Sequence, residues 1–204
     1  MIINYDIINQ GDTMTIKYPI PNKNNNINKS NPNKIQSHGM LFENALNISN
    51  EYYLTKGIAN IHKKPTPIQV VKVDYPKRSA AKITEAYFKV PSTTDYNGIY
   101  NGMYIDFEAK ETQSNLFSFT HIYKHQVEHL VSVKKLGGIA FVIIYYRMYG
   151  EIYIIDIDTF NDLYINGPRK SISYDTANKI GIKVNQGYTP PIDYLKSVDL
   201  LIKK

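Results

Sequence analysis

The 204-residue chain has no cysteine. That absence excludes a disulfide framework and any thiolate metal site, and it is compatible with a reducing compartment. Long apolar runs are also missing. None approaches the roughly 20 residues that a transmembrane helix needs, so no membrane partner is expected. The N-terminus lacks a charged segment followed by an apolar stretch, so no secretory signal is expected and the anticipated location is cytoplasmic. Acidic residues are outnumbered, with 18 Asp and Glu against 24 Lys and Arg, for a net charge of +6. A basic balance favours an anionic partner, most commonly nucleic acid. The hydrophobic content of 43% suffices for one core, and the length fits one domain with an appendage.

The most informative stretch runs from Thr93 to Thr112. Asn101-Gly102 between two alternating runs is a strong hairpin signal, because both central residues of a type I′ turn need positive φ. The register then follows. Tyr100 faces Met103, Ile99 faces Tyr104, and further out Asp95 faces Glu108. Side chains alternate along a strand, so Ile105, Phe107 and Ala109 share one face while Tyr104, Asp106, Glu108 and Lys110 share the other. Like charges directly opposed across a ladder are destabilising. Two facing carboxylates with a lysine two residues on call for a cation, which points to a divalent metal site for phosphodiester chemistry.

Along the rest of the chain, residues 1–37 read as a flexible basic arm rich in Asn, with Lys23, Lys29 and Lys34 available to track phosphates. A helix is expected from His38, continuing through Glu51 to Lys56 and stopping at Gly57, with Glu43 on its polar side. Ile58 to Lys64 reads as a strand broken by Pro65-Thr66-Pro67, and Ile68 to Val73 as a second β-rich run. Residues 62–89 carry Lys63, Lys64, Lys72, Lys77, Arg78, Lys82 and Lys89 against Asp74 and Glu85, with Tyr75, Tyr87 and Phe88 interleaved. That mixture suits contact with a nucleic-acid backbone and stacking on bases. Residues 113–119 read as a loop, and Thr120 to Lys135 as a helix whose Ile122, Gln126 and Leu130 face the sheet. His121, His125 and His129 recur every four residues on it. A zinc site is disfavoured there because hard carboxylates prefer magnesium or manganese, and a hydrophilic helix face is the reading adopted. Ile139 to Tyr146 is apolar enough for a central strand buried on both faces, with Glu151 to Asp156 as its hairpin partner. Asp158 or Thr159 is the expected cap of a short helix, residues 166–191 read as loops, and a terminal helix spans 192–201. Helices flanking a mixed sheet make the class α/β.

Asp95 and Glu108 offer hard oxygen ligands for Mg²⁺, with Mn²⁺ as a substitute, and Lys110 sits beside them to neutralise a pentacoordinate transition state. Asp95…Glu108-Ala109-Lys110 resembles the motif of the restriction-endonuclease-like nucleases. More narrowly, the chain resembles the RecU family of Holliday junction resolvases. The resemblance rests on Ile61-His62-Lys63-Lys64-Pro65-Thr66-Pro67, Val73-Asp74-Tyr75-Pro76-Lys77-Arg78-Ser79-Ala80-Ala81 and Glu85-Ala86-Tyr87-Phe88. It continues through Thr93-Thr94-Asp95-Tyr96-Asn97-Gly98, Tyr104 to Thr112, His125-Gln126, Gly187-Tyr188-Thr189-Pro190 and Ile192-Asp193-Tyr194, covering roughly residues 38–200.

This resemblance implies a restriction-endonuclease-like core, 38–204, carrying a basic stalk at about 65–89. It also implies a homodimer that resolves four-way junction DNA by paired cuts with Mg²⁺ or Mn²⁺, acting alongside recombinase and branch-migration proteins. By the same resemblance Thr93, Asp95, Glu108 and Gln126 hold the metal, and Lys110 stabilises the transition state. Glu43 is an additional active-site residue, and Lys63, Lys64, Lys77 and Arg78 contact DNA. One departure stands out: the family's usual Arg-Gly-Met is His38-Gly39-Met40 here, which puts junction affinity or a side activity with recombinase in question. Two other readings stay open, a junction-binding modulator of recombinase with vestigial hydrolysis and a sequence-specific restriction-type enzyme.

Overall fold

The computed structural model describes residues 38–88 and 93–203, the side chains of residues 38–40 and Arg78 excepted. The basic arm expected over 1–37, the departure at His38 and the position of Lys89 therefore lie outside what is described.

The first helix, α1 (His38–Thr55), ends before Gly57, whose φ of +65° suits glycine at a helix stop. Then β1 (Ala59–Lys63) enters the sheet, and the chain leaves it for an antiparallel ribbon of β2 (Ile68–Asp74) and β3 (Lys82–Phe88). Every residue of both ribbon strands is exposed. The chain returns as β4 (Tyr96–Tyr100), turns at Asn101 and Gly102, and runs back as β5 (Met103–Thr112). The turn residues have φ of 50° and 76°, as a type I′ turn demands, and the register pairs Tyr100 with Met103 and Ile99 with Tyr104 as expected. After β6 (Leu116–Ser118) comes α2 (Lys124–Lys135), then β7 (Ile139–Tyr146) and β8 (Glu151–Asp156). The last third holds α3 (Ile157–Asn166), β9 (Ser171–Ser173), α4 (Tyr174–Ile180), β10 (Ile182–Gln186), β11 (Ile192–Asp193) and α5 (Tyr194–Ile202).

The main sheet has the order β1-β4-β5-β7-β8-β10-β11. Among the described strands only β5 and β7 pair in parallel, which requires the crossover that α2 supplies. The sheet is therefore mixed and flanked by helices, the α/β class expected. On one face Ile105, Phe107, Phe141 and Ile143 pack against Phe42, Leu46 and Tyr53 of α1 and Tyr194, Leu195 and Val198 of α5. On the other, Ala140, Val142 and Ile144 pack against Val127 and Leu130 of α2 and Phe160 of α3. The central strand β7 is thus buried on both faces, as its unbroken apolar run requires. Tyr96, Phe107 and Phe141 occupy one cross-strand row and their rings stack, with centroids 4.9 Å and 4.8 Å apart. Each such pair contributes about 0.5–1.5 kcal/mol beyond its buried area.

Four expectations change. The helix expected from Thr120 begins at Lys124, because Phe119–His121 forms a 3₁₀ turn first, so the three histidines do not lie on one helix. The cap of α3 is Asp156, whose carboxylate accepts from the Asp158 amide, rather than Asp158 or Thr159. Residues 113–119 contain β6, which pairs with β9 across about 55 positions of sequence that carry no local sign of it. Residues 166–191 hold β9, α4 and β10, elements too short for periodicity to reveal.

Gly98 of β4 lies against β1 with no room for a side chain. A Cβ there would lie 2.0 Å from the Asn60 carbonyl oxygen and 2.6 Å from the Ile61 Cα, both backbone atoms unable to yield. Gly98→Ala should therefore force β1 away from the sheet and destabilise the protein by about 1–3 kcal/mol, read as a lower urea midpoint at unchanged m-value.

Candidate active site

Alternation along β5 sends Asp106, Glu108 and Lys110 toward the face that α2 covers. Asp106 and Glu108 have no exposed surface. An ionised carboxylate removed from water needs compensating partners. For Glu108 they are the Lys110 ammonium, 2.5 Å from Oε1, and the Gln126 side-chain amide, which donates to the same oxygen at 2.7 Å. The second oxygen, Oε2, is buried with no hydrogen-bond partner.

Asp95 continues the β4 register one step beyond Tyr96, which is paired with Phe107. Its Oδ2 accepts from the Ala109 amide at 3.1 Å, which holds the carboxylate beside Glu108. Burial first, and then the negative charge of Asp95, push the Glu108 carboxyl up to about 7, against the opposing pull of Lys110 and Gln126. A buried carboxylate with one orphaned oxygen and a second carboxylate beside it has the donor character that a hard divalent cation takes up. Among the described residues, no group of three or more His, Asp and Glu stands ready to hold a metal. A divalent ion would therefore rest on this pair, supplemented by neutral oxygens and water.

The other expected residues fall as follows. Glu43, from α1, lines the same cavity of about 580 Å³ as Asp95, Lys110, His121 and Tyr123, bounded by α1, the β4 and β5 strands and the segment before α2. Its carboxylate pairs with Lys63, half-exposed at the end of β1. Thr93 is exposed and accepts from the Lys64 ammonium at 3.2 Å. Gln126 turns its amide nitrogen to Glu108, while its oxygen accepts from the Tyr123 amide at 2.9 Å in a capping box that starts α2. That oxygen would have to give up the Tyr123 bond to reach a metal. Lys64 sits inside the structure, 2.7 Å from Asp106. Lys77 is exposed in the turn of the ribbon, and the side chain of Arg78 is outside the described residues.

Sequence reading assigned no role to Asp106 or His129. His129 does not lie on a free hydrophilic face: its Nε2 is 3.0 Å from the Asp106 carboxylate. The available signal was spacing. Asp106 stands two residues before Glu108 on the strand, and His129 three residues after Gln126 on the helix. A strand advances about 6.7 Å over two residues, and a helix about 4.5 Å over three. An α2 running back along β5 therefore offers Gln126 and His129 to the two carboxylates in turn.

Comparison with known proteins identifies the family. The family model RecU, described as Recombination protein U, matches residues 37–200. The chain is 48% identical over 195 residues to the Holliday junction resolvase RecU of Bacillus cereus (strain AH820), covering 91% of this chain and 98% of that one. It is equally similar to the protein of the same name from Bacillus anthracis (strain CDC 684 / NRRL 3495), with the same coverage. Among solved structures, Hjc of Archaeoglobus fulgidus, a Holliday junction resolvase, aligns with a TM-score of 0.42 and 14% identity, over 71% of this chain and 95% of that one. With a family match across most of its length and near-half identity along almost the whole of its relatives, the chain belongs to the RecU family.

Proposed function

We propose that the chain is a Holliday junction resolvase, a divalent-metal-dependent endodeoxyribonuclease that cuts two opposed strands of a four-way junction. The observation that carries this reading is the buried Glu108, with one oxygen unpartnered, paired with Lys110 and set beside Asp95, the latter two lining a cavity of about 580 Å³. Family membership supports it, since the Bacillus relatives are named Holliday junction resolvases.

In this reading Asp95 and Glu108 hold Mg²⁺ or Mn²⁺, with Thr93 and Gln126 at its margin. The bound ion supplies a polarised phosphodiester and a more acidic attacking water. Lys110 pairs with Glu108, and with a metal ion on that carboxylate its ammonium would be available to neutralise charge growing on the phosphate. Gln126 keeps Glu108 in one orientation, the usual service of an outer hydrogen bond to a ligand. Glu43 and Lys63 border the cavity from the α1 side, where the Lys63 ammonium can meet a DNA phosphate. Lys64 is held by Asp106 and contributes to the interior rather than to DNA.

The exposed ribbon supplies substrate choice. Lys72, Lys77 and Lys82 offer positive charge, and Tyr75, Tyr87 and Phe88 are exposed rings able to stack on unpaired bases at a junction centre. A junction carries two equivalent scissile phosphates related by a two-fold axis, so a homodimer with isologous contacts presents one site to each. Action in the cytoplasm beside recombinase and branch-migration proteins belongs to the same reading.

Three outcomes test it. Asp95→Asn or Glu108→Gln should reduce junction cleavage to background while metal-free junction binding in a gel-shift assay survives. Retained cleavage in either variant rejects the site, and a wild type that binds junctions tightly but never cuts them with Mg²⁺ or Mn²⁺ favours a binding protein.

The second outcome concerns pH. The Glu108 carboxyl is raised in the folded protein from its ordinary 4.5 to about 7. Its favourable contribution to stability is therefore complete below 4.5 and is lost as pH climbs through about 7. Metal-free Glu108→Gln should gain stability relative to wild type at pH 8 and not at pH 4, measured by urea unfolding. Metal binding must displace the same proton, so wild-type Mn²⁺ affinity should rise by up to about tenfold per pH unit below neutrality and flatten above it.

The third concerns the ribbon. Replacing Lys72, Lys77 and Lys82 together by Ala should weaken junction binding and lower its log–log salt slope by about 1 for each phosphate no longer neutralised.

A further inference from the structure

Asp106 is a buried carboxylate that the chemistry above does not use. Its Oδ2 accepts from three groups, Lys64 Nζ at 2.7 Å, Tyr104 Oη at 2.8 Å and His129 Nε2 at 3.0 Å. Its Oδ1 accepts from the Thr94 hydroxyl. Because a carboxylate only accepts, His129 must carry its proton on Nε2. The contrast with Glu108 two residues away is direct. Both are sealed from solvent, but Glu108 keeps an unpartnered oxygen whereas both Asp106 oxygens are engaged. Asp106 therefore has no orphaned oxygen of the kind that Glu108 offers to a cation.

What it joins gives it a purpose. Lys64 is the residue at which the chain leaves the sheet for the ribbon, and Thr93 and Thr94 are where it comes back. The Lys64 ammonium also reaches both threonine hydroxyls, and its backbone amide donates to the Asp95 carbonyl at 2.8 Å. Asp106 thus fastens both roots of the ribbon to β5, and His129 adds α2 to the same knot. Thr94 is bonded covalently to Asp95, so whatever holds Thr94 also holds that carboxylate against Glu108.

We propose that Asp106 is a positioning residue for the nuclease reaction. Through Lys64 and Thr94 it sets Asp95 in register with Glu108, and it ties the placement of the DNA-engaging ribbon to the geometry of the metal pair. The role rests on the reading of this site as a metal-dependent nuclease. Its physical basis is the steep dependence of catalysis on placement, where a shift of about 1 Å at a reacting group costs on the order of a hundredfold.

The test uses the full chain and three variants. Asp106→Asn keeps the shape but turns donors toward Lys64 or Thr94, Thr94→Val removes one hydroxyl isosterically, and Lys64→Met removes the ammonium at similar length. Mn²⁺ binding to the DNA-free protein is measured by calorimetry, junction affinity without metal by gel shift, and cleavage under single-turnover conditions. Asp106→Asn should weaken Mn²⁺ binding and slow cleavage by roughly ten- to a hundredfold, the usual cost of losing an outer-shell partner, while junction affinity is kept. Thr94→Val should do the same to a smaller degree, and it decides the matter if Asp106→Asn does not fold. Combining Lys64→Met with Asp106→Asn should add little to the loss from Asp106→Asn alone, because the groups act as a unit. Wild-type Mn²⁺ affinity and cleavage rate in Asp106→Asn or Thr94→Val, or fully additive losses in the double variant, would overturn the proposal. Absence of junction cleavage in the wild type would count against the resolvase reading, whereas the Mn²⁺ comparison judges the positioning role by itself.

Discussion

Two carboxylates two residues apart on β5, Asp106 and Glu108, are both wholly removed from water. Desolvating an ionised carboxylate costs several kcal/mol even after relaxation, so the surrounding chain has to answer each one. The answers differ. Asp106 receives a lysine, a tyrosine, a threonine and a histidine and has no capacity left. Glu108 receives a lysine and an amide on one oxygen and nothing on the other. The first arrangement is that of a fixed structural anion. The second leaves a carboxyl displaced to about 7, close to neutrality and in need of a further cation.

Much of the fold follows from supplying those partners. The parallel pairing of β5 with β7 obliges a crossover, and that crossover is α2, which carries Gln126 and His129 down onto the two carboxylates. The antiparallel pairing of β4 with β5 brings Asp95 to Glu108, and the segment entering β4 lets the Thr94 hydroxyl donate to Asp106. β1 pairs with β4 and delivers Lys64. Apolar packing on the two sides of the sheet holds these strands in place, with the Tyr96–Phe107–Phe141 stack behind the site and Val127 and Leu130 above it. The exposed ribbon needs no such packing, since its strands face solvent on both sides. A two-stranded ribbon is marginal by itself, so its anchorage at Lys64 and Thr94 bears on how firmly it projects.

Local chemistry made the hairpin and its flanks readable in advance. Asn101-Gly102 accepts positive φ, and period-two alternation assigns faces, so the register and the opposition of Asp95 and Glu108 followed from a few residues. The stop of α1 at Gly57 and the doubly buried β7 were legible for equally local reasons. The start of α2 was not. Thr120-His121-Ile122 fits helical spacing, but a 3₁₀ turn and a capping box through Gln126 compete with it. β3 was read only as basic and aromatic sequence, because a strand exposed on both faces has no hydrophobic alternation to betray it.

The sequence by itself therefore determined the mixed α/β class, the carboxylate hairpin with its lysine and the basic excursion before it, because turn chemistry, alternation and charge act between near neighbours. Tertiary structure alone decided which ionisable groups are available. Lys64 and Lys77 look alike as text, yet one ammonium is sequestered on Asp106 and the other is exposed. Asp106 and Glu108 share a strand face, yet one is saturated and the other is left wanting a cation. Those differences depend on donors 12 to 42 positions away in the chain, brought together only when the sheet closes under α2.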